Sequence, residues 1–312
     1  MNQTMPKTVA IVLAGGCGSR LLPLTAHEAK PALDFAGGTR IIDFVLSNLL
    51  NSGIHHIYVL AQYKPQSLIE HVRLHWQPVL GRYGGSVQVV LPDLECAFGE
   101  FLGTADAVHK TLPLCTRDAP DLVAVFAADH VYRMDVGQMV LAHQRTGADI
   151  TVATMPVPLE EATGFGIVEI DAKKRIQAFQ EKPTYPHSMP GRPGLACVSM
   201  GNYLFDPGVL KTLLAEAASR GETDFGKHLL PRATTTHRVC AYDFSDNCVT
   251  GTLPHEEPHY WRDVGTIAAY RAAQQDATGR APKFNLDNAL WPIGGRAPKK
   301  SVGATVAARV PS

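Results

Sequence analysis

The sequence predicts an α/β protein with a Rossmann-like, doubly wound and mostly parallel sheet. Two observations predict it. Short apolar runs rich in β-branched residues alternate with helix-length amphipathic segments through the first half of the chain. The first of those runs leads directly into a glycine-rich turn, the place where such a sheet binds its ligands. With 312 residues, the chain has room for one large domain or for two of ~150 residues each.

Residues 9–13, 57–60, 87–91, 122–126 and 150–155 are the strand-like runs, and their continuous apolar character suits strands covered on both faces. Between them, residues 41–51, 65–76, 104–112 and 136–146 fit helices. The second half is less regular. Residues 167–171 and 173–179 alternate around a turn-rich Asp171-Ala-Lys-Lys hinge, which predicts a hairpin. Three prolines within residues 185–193 predict a surface loop. Residues 209–219 and 267–277 read as helices, with Gly279 a C-cap for the second. Beyond Pro282 the pattern breaks into short apolar fragments, and 297–312 is too thin to form a domain.

Composition excludes several classes. Hydrophobic residues make up 45% and charged residues 19%, as in a folded globular chain. Lys+Arg and Asp+Glu both number 29, so no global field favours nucleic acid or an anionic membrane. An anionic ligand must therefore meet a local cluster. The longest apolar runs, 9–14 and 122–128, fall short of the ~18 residues that span a bilayer. The first run ends in Gly15-Gly16 instead of a cleavage site, so no secretory signal is expected. Six scattered cysteines (Cys17, Cys96, Cys115, Cys197, Cys240 and Cys248) form no CxxC pair and read as reduced thiols of a cytoplasmic protein.

Chemistry concentrates first in the loop Leu13-Ala-Gly-Gly-Cys-Gly-Ser-Arg-Leu-Leu-Pro-Leu-Thr25. Gly15, Gly16 and Gly18 let backbone N–H groups approach a phosphate chain. The third glycine of a dinucleotide fingerprint is missing, and no Walker Gly-Lys-Ser/Thr follows, so both of those motifs are set aside. Arg20 and Lys30 flank the turn, a planar fork and a point charge suited to a triphosphate. Asp129 closes the apolar run 122–128 at the strand's carboxyl end, where an acid suits Mg²⁺ bound together with substrate phosphates. Asp121 and Asp135 are assigned nothing beyond solvation. His55-His56 is placed in a loop, and His71 and His75 lie on a helix face with no nearby acid to complete a metal site.

The loop with Lys30-Pro-Ala resembles the signature of the sugar-1-phosphate nucleotidyltransferases. Further blocks, in order, resemble the glucose-1-phosphate adenylyltransferase branch: Arg40-Ile-Ile-Asp-Phe-Val-Leu-Ser-Asn, Gln62-Tyr, Gly103-Thr-Ala-Asp-Ala-Val, Asp129-His-Val-Tyr, Phe165-Gly, Glu181-Lys-Pro, Ser199-Met-Gly-Asn-Tyr, Asp224-Phe-Gly-Lys and Tyr260-Trp-Arg-Asp-Val-Gly-Thr. The resemblance implies a nucleotidyltransferase-type fold with a catalytic domain over residues 1–285, and 286–312 as linker to a left-handed β-helix domain that this sequence does not contain. It implies adenylyl transfer from ATP to glucose 1-phosphate for glycogen or starch synthesis. It assigns Asp129 and Asp263 to the catalytic Mg²⁺, and Arg20 and Lys30 to the pyrophosphate. Leu13, Ala14, Gly15, Gly16, Gly18, Gln62 and Gly103 would hold the nucleotide, and Phe101, Gly166, Glu181, Lys182 and Ser199 the sugar phosphate. Family members are homo-tetramers whose β-helix supports assembly.

Several positions depart from the family pattern. Glu100 stands where a Trp is usual, and the loop Pro92-Asp-Leu-Glu-Cys lacks a glutamine that often reads adenine, which leaves a UTP- or dTTP-dependent enzyme as an alternative. His27, Glu28 and Asp34 occupy a region that is usually basic, with Arg40 and Arg117 remaining; altered or absent response to sugar-phosphate effectors is expected. His228 replaces an acid. These departures also leave open a non-catalytic regulatory subunit.

Overall fold

A computed structural model describes residues 5–92 and 99–295. In chain order the elements are β1 (Thr8–Leu13), α1 (Ile41–Asn51), β2 (His56–Leu60), α2 (Gln66–His71), α3 (Gln77–Gly81), β3 (Ser86–Val90), α4 (Thr104–Cys115), β4 (Leu122–Ala127), β5 (His130–Tyr132), α5 (Val136–Thr146) and β6 (Ile150–Pro158). There follow β7 (Gly166–Ile170), β8 (Ile176–Glu181), β9 (Leu195–Phe205), α6 (Pro207–Ser219), α7 (Leu230–Thr236), β10 (Val239–Asp243), β11 (Trp261–Asp263) and α8 (Ile267–Asp276).

The main sheet runs in the order β10-β6-β9-β4-β1-β2-β3, with the β7–β8 hairpin joined to β9. Strands β4, β1, β2 and β3 are mutually parallel, as are β10 and β6. Only β9 opposes its main-sheet neighbours, pairing antiparallel with β4 and with β6. Alternate residues of one strand enter different cores: Ala10 and Val12 of β1 pack on one face, Val9 and Ile11 on the other. The continuous apolar runs thus follow from burial on both sides, and the sheet is doubly wound as predicted. A third cluster, built on Leu21, Phe44, Tyr260 and Phe284, packs beside the β5–β11 ribbon.

Several local expectations are corrected. The predicted helix over 65–76 continues as α2, a π-helical turn over Val72–Trp76, and α3. Pro78 has no N–H to give the preceding turn, and the wider π turn accommodates this. His71 is not without an acid, because its Nε2 lies 2.6 Å from Asp43 Oδ1. His56 opens β2 instead of lying in a loop. Asp135 is more than a solvated acid; it caps α5 by accepting from the Gly137 N–H at 2.9 Å. Asp121 accepts from the Lys7 backbone N–H at 2.8 Å, tying the lead-in of β1 to that of β4. The C-cap of α8 is Ala277, and Gly279 (φ +98°) serves the turn beyond it.

Residues 286–295 lie against α1. Trp291 donates from Nε1 to Asn48 at 3.2 Å, and Asn51 donates to the Pro292 carbonyl at 3.0 Å. Residues 296–312, the rest of the expected linker, and Cys96 lie outside the described residues. Burial pushes the Cys115 thiol up to about 12 and that of Cys197 to about 11, so both are inert fillers of the core. No helix among the described residues is long and apolar enough to cross a membrane.

Candidate active site

A cleft of about 560 Å³ opens at the carboxyl ends of β1, β2 and β4, where a parallel sheet presents its loops. The predicted site residues line it, apart from Asp263, Gly166 and Ser199. Asp263 nonetheless belongs to the same cluster. The buried Lys30 ammonium donates to Asp129 Oδ2 at 2.9 Å and to Asp263 Oδ1 at 3.3 Å. Burial works against the Asp129 carboxylate, but the charges of His130 and Lys30 outweigh it and hold the group far below the usual carboxylate range. The Asp129 side chain is still 40% exposed, so one oxygen-rich face looks into the cleft. Two carboxylates at one wall form a donor set that fits a hard divalent cation.

The glycine loop is shaped by two different demands. At Gly18 (φ +60°) an added Cβ would stand 2.9 Å from Thr25 Cγ2 and 3.2 Å from Lys30 Cβ, so the turn itself requires glycine. At Gly15 and Gly16 a Cβ would meet nothing within 4 Å, so their lack of a side chain serves the open cleft. Arg20 forms no ion pair among the described residues, and a Cβ on Gly265 would stand 3.0 Å from its guanidinium. A free guanidinium beside bare backbone suits an anion.

Across the cleft, Glu181 ends β8 and Lys182 follows it. Lys182 takes φ +47°, rare for a residue with a side chain, and its Nζ stands 3.2 Å from Glu181 Oε1. Gly166 pairs with Glu181 in the hairpin, where a Cβ would clash with Phe179 at 2.5 Å; its part is to let the hairpin close beneath the glutamate. Ser199 is buried on β9 and accepts from the Gly201 N–H at 3.2 Å, which sets it in the wall behind the cleft. Gln62 Oε1 accepts from the Phe101 N–H at 2.6 Å, so its amide NH₂ is left to face a ligand.

Other sequence-level expectations fall elsewhere. Trp261 and Tyr260 are buried in the core and do not line the cleft. Asp34 Oδ1 lies 3.6 Å from Arg40 Nε, so the acid in the usually basic region faces the arginine that remains. Arg117 lines a separate groove with Lys7 and Thr8, at the opposite end of β1 from the cleft. His228 Nδ1 accepts from the backbone N–H groups of Thr223 and Asp224, a turn-closing role. Cleft residues the sequence reading left unassigned include Tyr203 and Gly226. Asp224, which the sequence shows only within a motif, caps the next turn with its carboxylate and accepts from Thr104 Oγ1 at 3.2 Å. The tight approach of Gly226 to Glu181 had no signal in sequence beyond the glycine itself.

A family model described as nucleotidyl transferase matches residues 9–280. The chain belongs to the nucleotidyl transferase family. Within it, the chain is 47% identical over 292 residues to a glucose-1-phosphate adenylyltransferase of Thermodesulfovibrio yellowstonii, covering 93% of this chain and 71% of that protein. It is 46% identical to one of Paramagnetospirillum magneticum, covering 94% and 68% respectively. A Thermus thermophilus protein of the same name is 47% identical, covering 92% and 70%. For a nucleotidyl transferase, a cleft with bare loop backbone, unpaired Arg20 and a carboxylate pair is the expected kind of site for a nucleoside triphosphate.

Proposed function

We propose that this nucleotidyl transferase moves the adenylyl group of ATP to α-D-glucose 1-phosphate, giving ADP-glucose and pyrophosphate for α-glucan synthesis. The single observation that carries the reading is the Lys30–Asp129–Asp263 cluster at the wall of the cleft that also holds Arg20 and Lys182. The names of the relatives supply the substrates.

In the reaction, a phosphate oxygen of glucose 1-phosphate forms a new bond to the α-phosphorus, and the bond from that phosphorus to the pyrophosphate oxygen breaks. No covalent enzyme intermediate is needed, so the residues act by alignment and charge neutralisation. Arg20 and Lys30 hold the triphosphate tail and keep the departing pyrophosphate in line. Lys182 holds the sugar phosphate, and Glu181 accepts from sugar hydroxyls. Gln62 offers its NH₂ to an acceptor atom of the base, since its oxygen is committed to Phe101. Asp129 and Asp263 would hold Mg²⁺, which when bound neutralises phosphate charge. The setting for this chemistry is the cytoplasm.

The test is pyrophosphate release with glucose 1-phosphate, Mg²⁺ and each nucleoside triphosphate in turn. ATP should give the highest kcat/KM. A preference for UTP or dTTP would move the assignment to another sugar nucleotide, and no turnover with any triphosphate despite ligand binding would mark a regulatory subunit.

A further inference from the structure

His130 differs from the other buried histidines of known contact. His71 directs its Nε2 to Asp43 and His143 its Nδ1 to Thr151, so the fold uses each of those rings. His130 is 9% exposed, yet its Nδ1 has no hydrogen-bond partner among the described residues. Its Nε2 stands 3.5 Å from Asp129 Oδ1, beyond a good hydrogen bond. A buried imidazole left this free of the fold is a candidate for a ligand.

The β-register accounts for its aim. His130 of β5 pairs directly with Asp263 of β11, so both side chains leave the same face of the ribbon, and Asp129 immediately precedes. Donor atoms of Asp129, His130 and Asp263 all lie within 4.8 Å of one another, and no other histidine joins this cluster among the described residues. Trp261 meets the His130 ring edge-on at 5.1 Å, and a Cβ on Gly201 would stand 3.8 Å from His130 Cε1. The ring is therefore fixed in plane by packing, as a ligating group must be.

We propose that His130 Nε2 is a third protein donor to the divalent cation of the site; this rests on the reading of Asp129 and Asp263 as its carboxylate ligands. An imidazole nitrogen adds affinity without further negative charge. It also alters ion preference, because imidazole favours Mn²⁺ over Mg²⁺ and favours Co²⁺ more strongly.

The experiment uses Mn²⁺ as probe on the full chain, with histidine labelled in ¹⁵N and read by pulsed electron paramagnetic resonance. Bound Mn²⁺ should show coupling to a directly bonded imidazole nitrogen that changes with the label. In His130→Gln that coupling should vanish while Mn²⁺ binding weakens about tenfold, and Co²⁺ binding should weaken more than Mg²⁺ binding. Bound Mn²⁺ without nitrogen coupling in the unaltered protein overturns the inference and leaves the aspartates in place. Mn²⁺ affinity unchanged by Asp129→Asn overturns the aspartate reading as well. The spectrum of the unaltered protein decides the matter even if His130→Gln fails to fold.

Discussion

At the scale of single residues, Asp129 and Asp135 separate chemistry from architecture. Both are acids in the stretch after β4, one just before β5 and one just after it, and their partners tell them apart. Asp129 is ionised beside Lys30 at the cleft, whereas Asp135 caps α5. Asp129→Asn should lower kcat for pyrophosphate release by at least about a hundredfold, the scale of losing one preorganised electrostatic partner. Its fold should survive, because Lys30 keeps Asp263. Asp135→Ala should instead cost about 1 kcal/mol of stability and leave kcat near normal. Near-normal turnover in Asp129→Asn, measured beside a thermal melt, would refute its role. Asp129 was legible because a strand end in an α/β sheet is a place for ligands. Asp135 was not, since a cap is defined by the N–H it accepts from, and the periodicity over 136–146 begins after it. His130 was hidden among thirteen histidines, because its significance depends on the β5–β11 register.

At the scale of elements, the π turn between α2 and α3 has an identifiable purpose. His71 and Trp76 both reach Asp43 Oδ1, at 2.6 and 2.7 Å. Residues five apart on an ordinary α-helix point about 140° away from each other. Widening the turn brings them onto one face, and the buried carboxylate on α1 then ties the helical segment to α1. Asp43→Ala leaves two buried donors unpaired and should cost about 3 kcal/mol, read as a fall of several degrees in Tm. Asp43→Asn keeps an acceptor and should recover part of that loss; equal stability of all three proteins would show that the tie contributes nothing. A periodicity argument finds helix over 65–76 but cannot see a change of winding that Pro78 permits and that a carboxylate on another helix rewards. Strand β9 escaped for a related reason. Its Ser199, Gly201 and Asn202 interrupt the apolar pattern, yet Asn202 is fully buried, accepting from the Ala127 N–H at 3.3 Å and donating to the Tyr132 hydroxyl at 3.1 Å. A polar residue satisfied by tertiary partners reads as loop until those partners are known.

At the scale of the whole molecule, a formal charge of zero conceals an uneven response to acid. The parallel strands, the glycine loop and the cleft were legible in sequence because each has a local pattern; the titration of the folded chain was not, because burial decides it. Burial holds His143 below its ordinary value, against the pull of Asp206 and Asp149. His55 is lowered as well, by burial and then by the charge of His56, against a hydrogen bond to the Leu50 backbone carbonyl, which raises it. The unfolded chain therefore binds more protons than the folded one as pH falls below about 6.5. Stability from these groups is fully present above that value and is lost as pH falls through their folded values. Urea unfolding measured from pH 7.5 to 5 should show a falling free energy of unfolding. In His143→Gln the starting value should be lower, since the 2.8 Å contact with Thr151 is disturbed, but the decline with acid should be shallower. If the two proteins lose stability in parallel across that window, His143 is not a source of the acid sensitivity, and the carboxylates with lowered values, which titrate at more acid pH, would have to be joined by some other group.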